Sequence, residues 1–414
     1  MKILYSFLTP TFVLNIDEVG ITGGDRRFIE IGKRLAHRDA VKVNVMTTPT
    51  GRKILLREGW RDVSTLVISV PVLFQRLLAY LSRTNQVAHV IFSYVLCILL
   101  VAKMIPSLAE FDIVCSPSDF APDLVSSFLY RITRSRTAWV AVTYQRIPSP
   151  FRRKGSFLVN QISYSAQQVS YRLMKKADLV LVNATNEGRE VSNFLRKLGI
   201  PFSRIDSVQL GVNHDLLSGL SNQNKIYDAC FVAALSPVRG LLDIVPIWKL
   251  VVAAKPDATI AVIGRGDKDC EESLKDQVMT GGLSRNIQLL GYLHGSQLFE
   301  AMRRARMFVS LNREASWGLA ITEAMACGLP VVAYDLSAYD IYERGMIRVA
   351  LGNHGLFAEA ILNLLRDDRR LVRLAEEAQD FAKKFDWNDI AEHELQIFTK
   401  ILSKPELRKL QEVS

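Results

Sequence analysis

One segment concentrates residues whose types and spacing suit chemistry: Ser310-Leu-Asn-Arg-Glu-Ala-Ser-Trp-Gly-Leu-Ala-Ile-Thr-Glu-Ala-Met-Ala-Cys-Gly-Leu-Pro-Val-Val-Ala-Tyr-Asp335. It reads as a strand end, a loop closing at Gly318, a helix carrying Glu323, a glycine stop at Gly328 and a new strand from Pro330. A carboxylate roughly one and a half turns into such a helix can accept both hydroxyls of a ribose, while the first-turn amides from Gly318 and Leu319 hold a phosphate. A merely solvated glutamate fits poorly, because Glu323 is embedded among Ala, Ile and Met.

Three further loops follow apolar runs. Ile21-Thr-Gly-Gly-Asp-Arg-Arg27 opens a helix, and Gly23 and Gly24, with Asp25 behind them, let backbone amides approach a phosphate closely; most Gly-Gly pairs are simple turns. Leu235-Ser-Pro-Val-Arg-Gly240 sets Arg239 just before a helix, where a fixed fork of donors suits a diphosphate, although alone it equals an ordinary surface arginine. Val262-Ile-Gly-Arg-Gly-Asp267, with Gly264 and Arg265, resembles half of a dinucleotide fingerprint but lacks the third glycine, so it reads as a tight turn lining the site.

The elements that must position these loops alternate. KILYSFL, VKVNVMT, TLVISV, DIVCS, AWVAVTY and DLVLVNA are short apolar runs separated by helical stretches, as are ACFVAAL, ATIAVIG, IQLLG, RMFVSL and PVVAYD beyond Gly211. Unalternated strands covered on both faces mean parallel sheets. The fold class is therefore α/β, with two Rossmann-like doubly wound domains. The expected boundaries are residues 1–205, a polar linker over 206–224, a second domain over 225–388, and a C-terminal helix over 389–414. Ligands in such sheets bind beyond the carboxyl ends of the strands, where all four loops fall.

The 414 residues, 49% of them apolar, suffice for two cores. The five cysteines are far apart and none pairs with a histidine at a ligand spacing, so neither a disulfide framework nor a metal site is expected. The start MKILYSF shows no signal-peptide pattern, which predicts a cytoplasmic chain. Charge is uneven: residues 1–205 hold 28 Lys+Arg against 14 Asp+Glu, leaving 24 and 28 for the remainder, net +14 and −4. That asymmetry points to an anionic partner or to a solvated basic face. Nucleic acid is disfavoured, since no helix-turn-helix, zinc or stacking-platform motif accompanies it. Arg146 to Lys154 and the helical stretch Phe157 to Lys176 mix basic with apolar residues, as an anionic membrane surface requires. Val87 to Ile105 approaches the length of a membrane span, but its polar residues and the strand-like run after it favour a buried or surface-docked crossover helix.

WGLAITEAMACGLPVVAYD resembles the most specific signature of the retaining glycosyltransferases with the GT-B fold, often called family 4. The likeness extends in order through the Gly-Gly loop, DLVLVNAT, QLGVNHD, the Leu-Ser-Pro-x-Arg-Gly turn, VIGRGD, LLGYL and FDWNDIAE, most strongly from Asp178 to Asp335. It implies two domains facing across a cleft (GT-B), a nucleoside diphosphate sugar bound by the second domain, a glycan or lipid-linked acceptor bound by the first, a last helix that crosses back to the first domain, and no cofactor or metal. By position, Glu323 holds the ribose, Arg239 the diphosphate, and Gly23 with Gly24 the phosphate.

Three positions depart from the family pattern. Ala315 stands where the family's second glutamate, eight residues before Glu323, contacts the sugar; Glu314 is one place earlier, and a one-residue bulge would bring it there. Ala233 and Ala234 replace a Gly-Arg pair, removing one diphosphate cation for which Arg265 or Arg313 could substitute. Thr143-Tyr144-Gln145 stands where the family often has a histidine near the sugar. The expected catalytic set is thus Arg239, Glu314 and Gly318, with Tyr144, Gln145, Ser316 and Trp317 as a sugar pocket. A catalytically silent nucleotide- or partner-binding protein and a GT-B nucleotide-sugar epimerase remain as alternatives.

Overall fold

The computed structural model describes residues 1–8, 21–153, 157–221, 223–314 and 317–403. The chain divides into two units: the first comprises residues 1–184 and 188–209 and resumes at Asn388, and the second runs from Leu210 to Trp387 with Thr185–Glu187.

In the first unit seven strands form one parallel sheet: β1 (Lys2–Phe7), β2 (Lys42–Thr47), β3 (Ser64–Val67), β4 (Ile113–Ser116), β5 (Ala138–Thr143), β6 (Leu179–Asn183) and β7 (Ile205–Val208). Their order is β3-β2-β1-β4-β5-β6-β7. Every residue of β5 is buried, which is why AWVAVT shows no alternation: helices cover both its faces. The apolar stretch forms the helix Gln86–Met104 between β3 and β4, with Cys97 and Val101 in the core beside Leu124, Tyr130 and Trp139. A helix from Val72 to Thr84 precedes it, a second element between β3 and β4.

The second unit repeats the plan with β8 (Tyr227–Val232), β9 (Ile260–Ile263), β10 (Ile287–Gly291), β11 (Ala305–Ser310), β12 (Val331–Tyr334) and β13 (Met346–Val349), again all parallel. Their order is β10-β9-β8-β11-β12-β13. Its core joins Phe231 and Val262 from the strands to Trp248, Ile244 and Ile361 from covering helices.

The stretch 206–224 is not a plain linker. Residues through Val208 complete β7 in the first sheet, the change of unit falls between Gln209 and Leu210, and His214–Ser218 is helical. The last helix, Trp387–Leu402, is held in the first unit from Asn388 onward. There Glu394 forms a buried ion pair with Arg27, and Arg34 donates to Asn388 at 2.8 Å.

Gly240 shows how tightly the second unit's loops are fitted. Its φ of 85° lies in the left-handed region, and a Cβ placed on it would stand 2.1 Å from the Leu311 carbonyl oxygen. Gly240→Ala is therefore expected to destabilise the unit by more than the ~1 kcal/mol typical of point substitutions, read as a clear fall in Tm; an unchanged Tm would show that the two loops can part.

Candidate functional site

Strand order reverses between β8 and β11, so the crevice at a topological switch point lies beyond their carboxyl ends. The loop after β8 carries Arg239, in the short 3-10 turn Pro237–Arg239, and the loop after β11 carries Glu314 and Gly318. Backbone bonds stitch these loops together: Arg313 N–H donates to the Val238 carbonyl at 2.9 Å, and Leu235 N–H to the Arg265 carbonyl at 2.9 Å. Gly264 N–H donates to the Gly291 carbonyl at 2.8 Å, so the turn after β9 joins the same rim.

Gly318, with φ 76° and ψ 51°, is the N-cap of the helix Leu319–Ala326. Among the described residues no side chain caps that end, where the first-turn amides can face an anion. Glu323 sits in this helix between buried Thr322 and Ala324 and is itself only 9% exposed. Arg239, the uncapped N-terminus and Glu323 thus belong to loops and a helix that converge on one strand pair.

Two tyrosines that the sequence did not single out shape this loop. Tyr339 hydroxyl lies 3.2 Å from Ser310 Oγ and accepts from Asn312 Nδ2 at 2.9 Å. Tyr342 hydroxyl donates to the Trp317 carbonyl at 2.9 Å and lies 2.8 Å from Thr322 Oγ1. Together they hold both ends of the β11 loop. Their only sequence signal is the pair of tyrosines in the segment after β12. Burial pushes both hydroxyls above the ordinary phenol range.

Several expected residues take other places. Arg313 is no spare diphosphate cation: its Nε and Nη2 bind Asp243 Oδ2 and Oδ1, both at 2.7 Å, and His354 Nε2 lies 2.9 Å from Oδ1. Arg265 Nε lies 4.0 Å from Glu271. Ala234, the position lacking the family's arginine, is exposed, whereas Ala233 packs on the core. Trp317 is a buried part of an aromatic cluster, its ring edge-on to Phe385 at 6.0 Å, and so supports the loop from beneath where a sugar-pocket wall was expected. Glu314 is half-buried, while Ala315 and Ser316 lie outside the described residues.

In the first unit the order reverses between β1 and β4, and the helix Gly23–Ala36 connects β1 to β2, beside that switch point. Asp25 caps its own helix: its Oδ2 accepts from Thr22 N–H at 2.8 Å and Thr22 Oγ1 at 2.9 Å. Its carboxylate is thereby engaged in a capping box at the start of the helix. Gly24 packs on Tyr144, since a Cβ there would stand 2.6 Å from Tyr144 Cε2. The sequence-expected Gly-Gly loop and Tyr144 are therefore neighbours. Gln145 is exposed, and its carbonyl accepts from Gln167 Nε2 at 2.8 Å. Arg27, one helical turn beyond Gly23, also donates to the Gln209 carbonyl at 3.3 Å. Burial opposes its charge, and the facing Glu394 carboxylate more than offsets this, raising its pKa.

The fold is that of the crystal structure of Anabaena Alr3699/HepE in complex with UDP and glucose: TM-score 0.70 at 20% identity, over 96% of this chain and 99% of that one. The chain thus has the GT-B fold. Residues 227–367, within the second unit, match the family described as glycosyl transferases group 1. Phosphatidyl-myo-inositol mannosyltransferase of Mycobacterium leprae (strain TN) is 32% identical over 169 residues, 40% of this chain and 44% of that protein. Poly(glycerol-phosphate) alpha-glucosyltransferase of Bacillus subtilis (strain 168) is 25% identical over 166 residues, 38% and 24% of the two chains. The matches span less than half the length of these relatives.

Asp243 supplies a pH test of the loop. Burial opposes its ionisation, but hydrogen bonds from Arg313 and His354 outweigh this and hold its carboxyl below the usual range. A depressed folded-state pKa contributes stability above the unfolded value of about 3.9 that is lost as pH falls further. Asp243→Asn is expected to cost roughly 1.5 to 3 kcal/mol at neutral pH and to flatten the unfolding profile below about pH 4; an identical acid profile would show that the pair carries none of it.

Proposed function

We propose that this protein is a glycosyltransferase that moves a sugar from a nucleoside diphosphate sugar, with retention, to a hydroxyl of a glycan or lipid-linked acceptor. The observation that carries the reading is the convergence of Arg239, the uncapped helix N-terminus at Gly318 and buried Glu323 beyond β8 and β11, within the group 1 domain. The UDP-bound Anabaena structure supports a nucleoside diphosphate donor, and the names of the matched transferases support acceptors of the inositol-lipid or glycerol-phosphate kind. We place the protein in the cytoplasm, peripheral to the membrane that presents the acceptor.

In this reading Glu323 accepts the ribose hydroxyls, and Arg239 with the Gly318 and Leu319 amides takes up charge on the departing diphosphate. Gly264 and Arg265 line the same rim, and Glu314 faces the sugar. The bond from the anomeric carbon to the diphosphate oxygen breaks as the acceptor oxygen bonds to that carbon from the same side. The acceptor proton passes to the leaving phosphate, so no protein base is needed. In the first unit, Gly23, Gly24 and Tyr144 supply the acceptor-side surface. The silent nucleotide-binding alternative draws on Ala234 and Ala315.

Turnover of UDP-, GDP-, ADP- and dTDP-sugars with a membrane lipid extract tests the proposal. One donor should be consumed, and the product should keep its anomeric configuration by NMR. Arg239→Ala should lower kcat/KM about tenfold to a hundredfold, the worth of one hydrogen bond to a charged group. Ala234→Arg should raise affinity for the diphosphate by restoring a second cation. Nucleotide binding without turnover of any donor would overturn the transferase reading in favour of the silent one.

A further inference from the structure

The helical hairpin Val72–Thr84 and Gln86–Met104 leaves an unusual amount of apolar side chain in water. On the first helix Leu73 is 74%, Leu77 39% and Tyr80 63% exposed, spaced four and three residues apart along one stripe. Arg76 and Arg83 are exposed on the same stripe. On the second helix Ile91, Val95 and Leu99, at 42, 50 and 62% exposure, follow one another at intervals of four, with exposed Lys103 beyond. The opposite sides are committed: Val70, Leu78 and Leu96 bind the helices to each other, while Cys97 and Val101 bind the second to the sheet. From Val63 through Ala109 the chain contains no Asp or Glu.

We infer that this hairpin is the face by which the protein docks on an anionic lipid bilayer, lying in the interfacial plane with its leucines and Tyr80 inserted and Arg76, Arg83 and Lys103 at the headgroups. The inference extends the proposed function by naming the surface that meets the acceptor's membrane. Charge decides the occupant. A second copy docking through this face would set arginine stripe against arginine stripe, because a two-fold interface pairs a patch with itself. An anionic leaflet instead attracts them, at about 1 kcal/mol or fivefold in affinity per basic residue. A span is disfavoured, since drawing Val87–Ser107 into a membrane would strip Cys97, Val101 and Ile105 from the sheet's core. The basic stretch after Arg146 is a weaker candidate: Arg146 stacks on Phe194 at 4.1 Å, and Lys154 lies outside the described residues.

The test is flotation of the full chain with vesicles of phosphatidylcholine alone and of phosphatidylcholine mixed with phosphatidylglycerol. Wild type should float with the mixed vesicles only and be released by high salt. Leu73→Ser with Leu99→Ser, both at exposed positions, should abolish flotation with Tm unchanged. Arg76→Ser, Arg83→Ser and Lys103→Ser together should weaken it by on the order of a hundredfold. Failure of wild type to float, flotation of the leucine variant like wild type, or retention in salt and carbonate would each overturn the proposal. Conversion of a wild-type dimer to monomer by the leucine variant, without vesicle binding, would assign the face to a second copy instead. Donor turnover with the detergent-dispersed lipid extract, which needs no vesicle docking, separates the two claims: vesicle binding without turnover would leave the surface standing and the transferase reading overturned.

Discussion

Both units depend on one topological constraint: a parallel sheet whose strand order reverses must leave the loops flanking the reversal unable to cover each other. In the second unit that reversal lies between β8 and β11, and the chain spends its irregular backbone there. The Gly240 backbone against the Leu311 carbonyl, the Arg313 amide on the Val238 carbonyl and the bidentate Arg313–Asp243 pair fasten one loop to the other. A preorganised rim costs little reorganisation when charge develops on a departing group, which is where electrostatic stabilisation is most effective.

The first unit treats its own reversal differently. Its helix after the Gly-Gly pair is tied from behind by the last helix of the chain, through Arg27 and Glu394, each nearly inaccessible. Breaking a buried pair of this kind by removing one partner leaves an uncompensated charge, at a cost of about 3 to 5 kcal/mol. The placement of Gly23 and Gly24 therefore depends on a segment nearly the length of the chain away. Tyr144 completes the arrangement, filling the space that a Gly24 side chain would occupy.

Much of this was legible in the sequence because buried parallel strands read as unbroken apolar runs, and eleven such runs fall on β1 to β6 and β8 to β12. The edge strands β7 and β13 escaped for a physical reason: IDSV and MIRV are only partly covered, so neither shows a continuous apolar run. For the same reason residues 206–224 passed for a linker. The places of Glu323 on a helix and Arg239 in a turn were legible because a helix start and a turn announce themselves locally. Tyr339, Tyr342 and Asp243 were not, since their partners lie 20 to 111 residues away and no local spacing encodes them. Arg313 was misread as a spare cation because the sequence does not show the carboxylate that holds it.

The central claim is that the β8–β11 reversal of the second unit is a nucleoside diphosphate site anchored by Glu323. Calorimetric titration of the full chain with UDP, GDP, ADP and dTDP, beside Glu323→Ala, tests it most directly. Selective binding of one nucleotide, weakened about tenfold to a hundredfold in the variant, is the predicted result; no binding of any nucleotide by a folded protein, or equal binding by the variant, would contradict it.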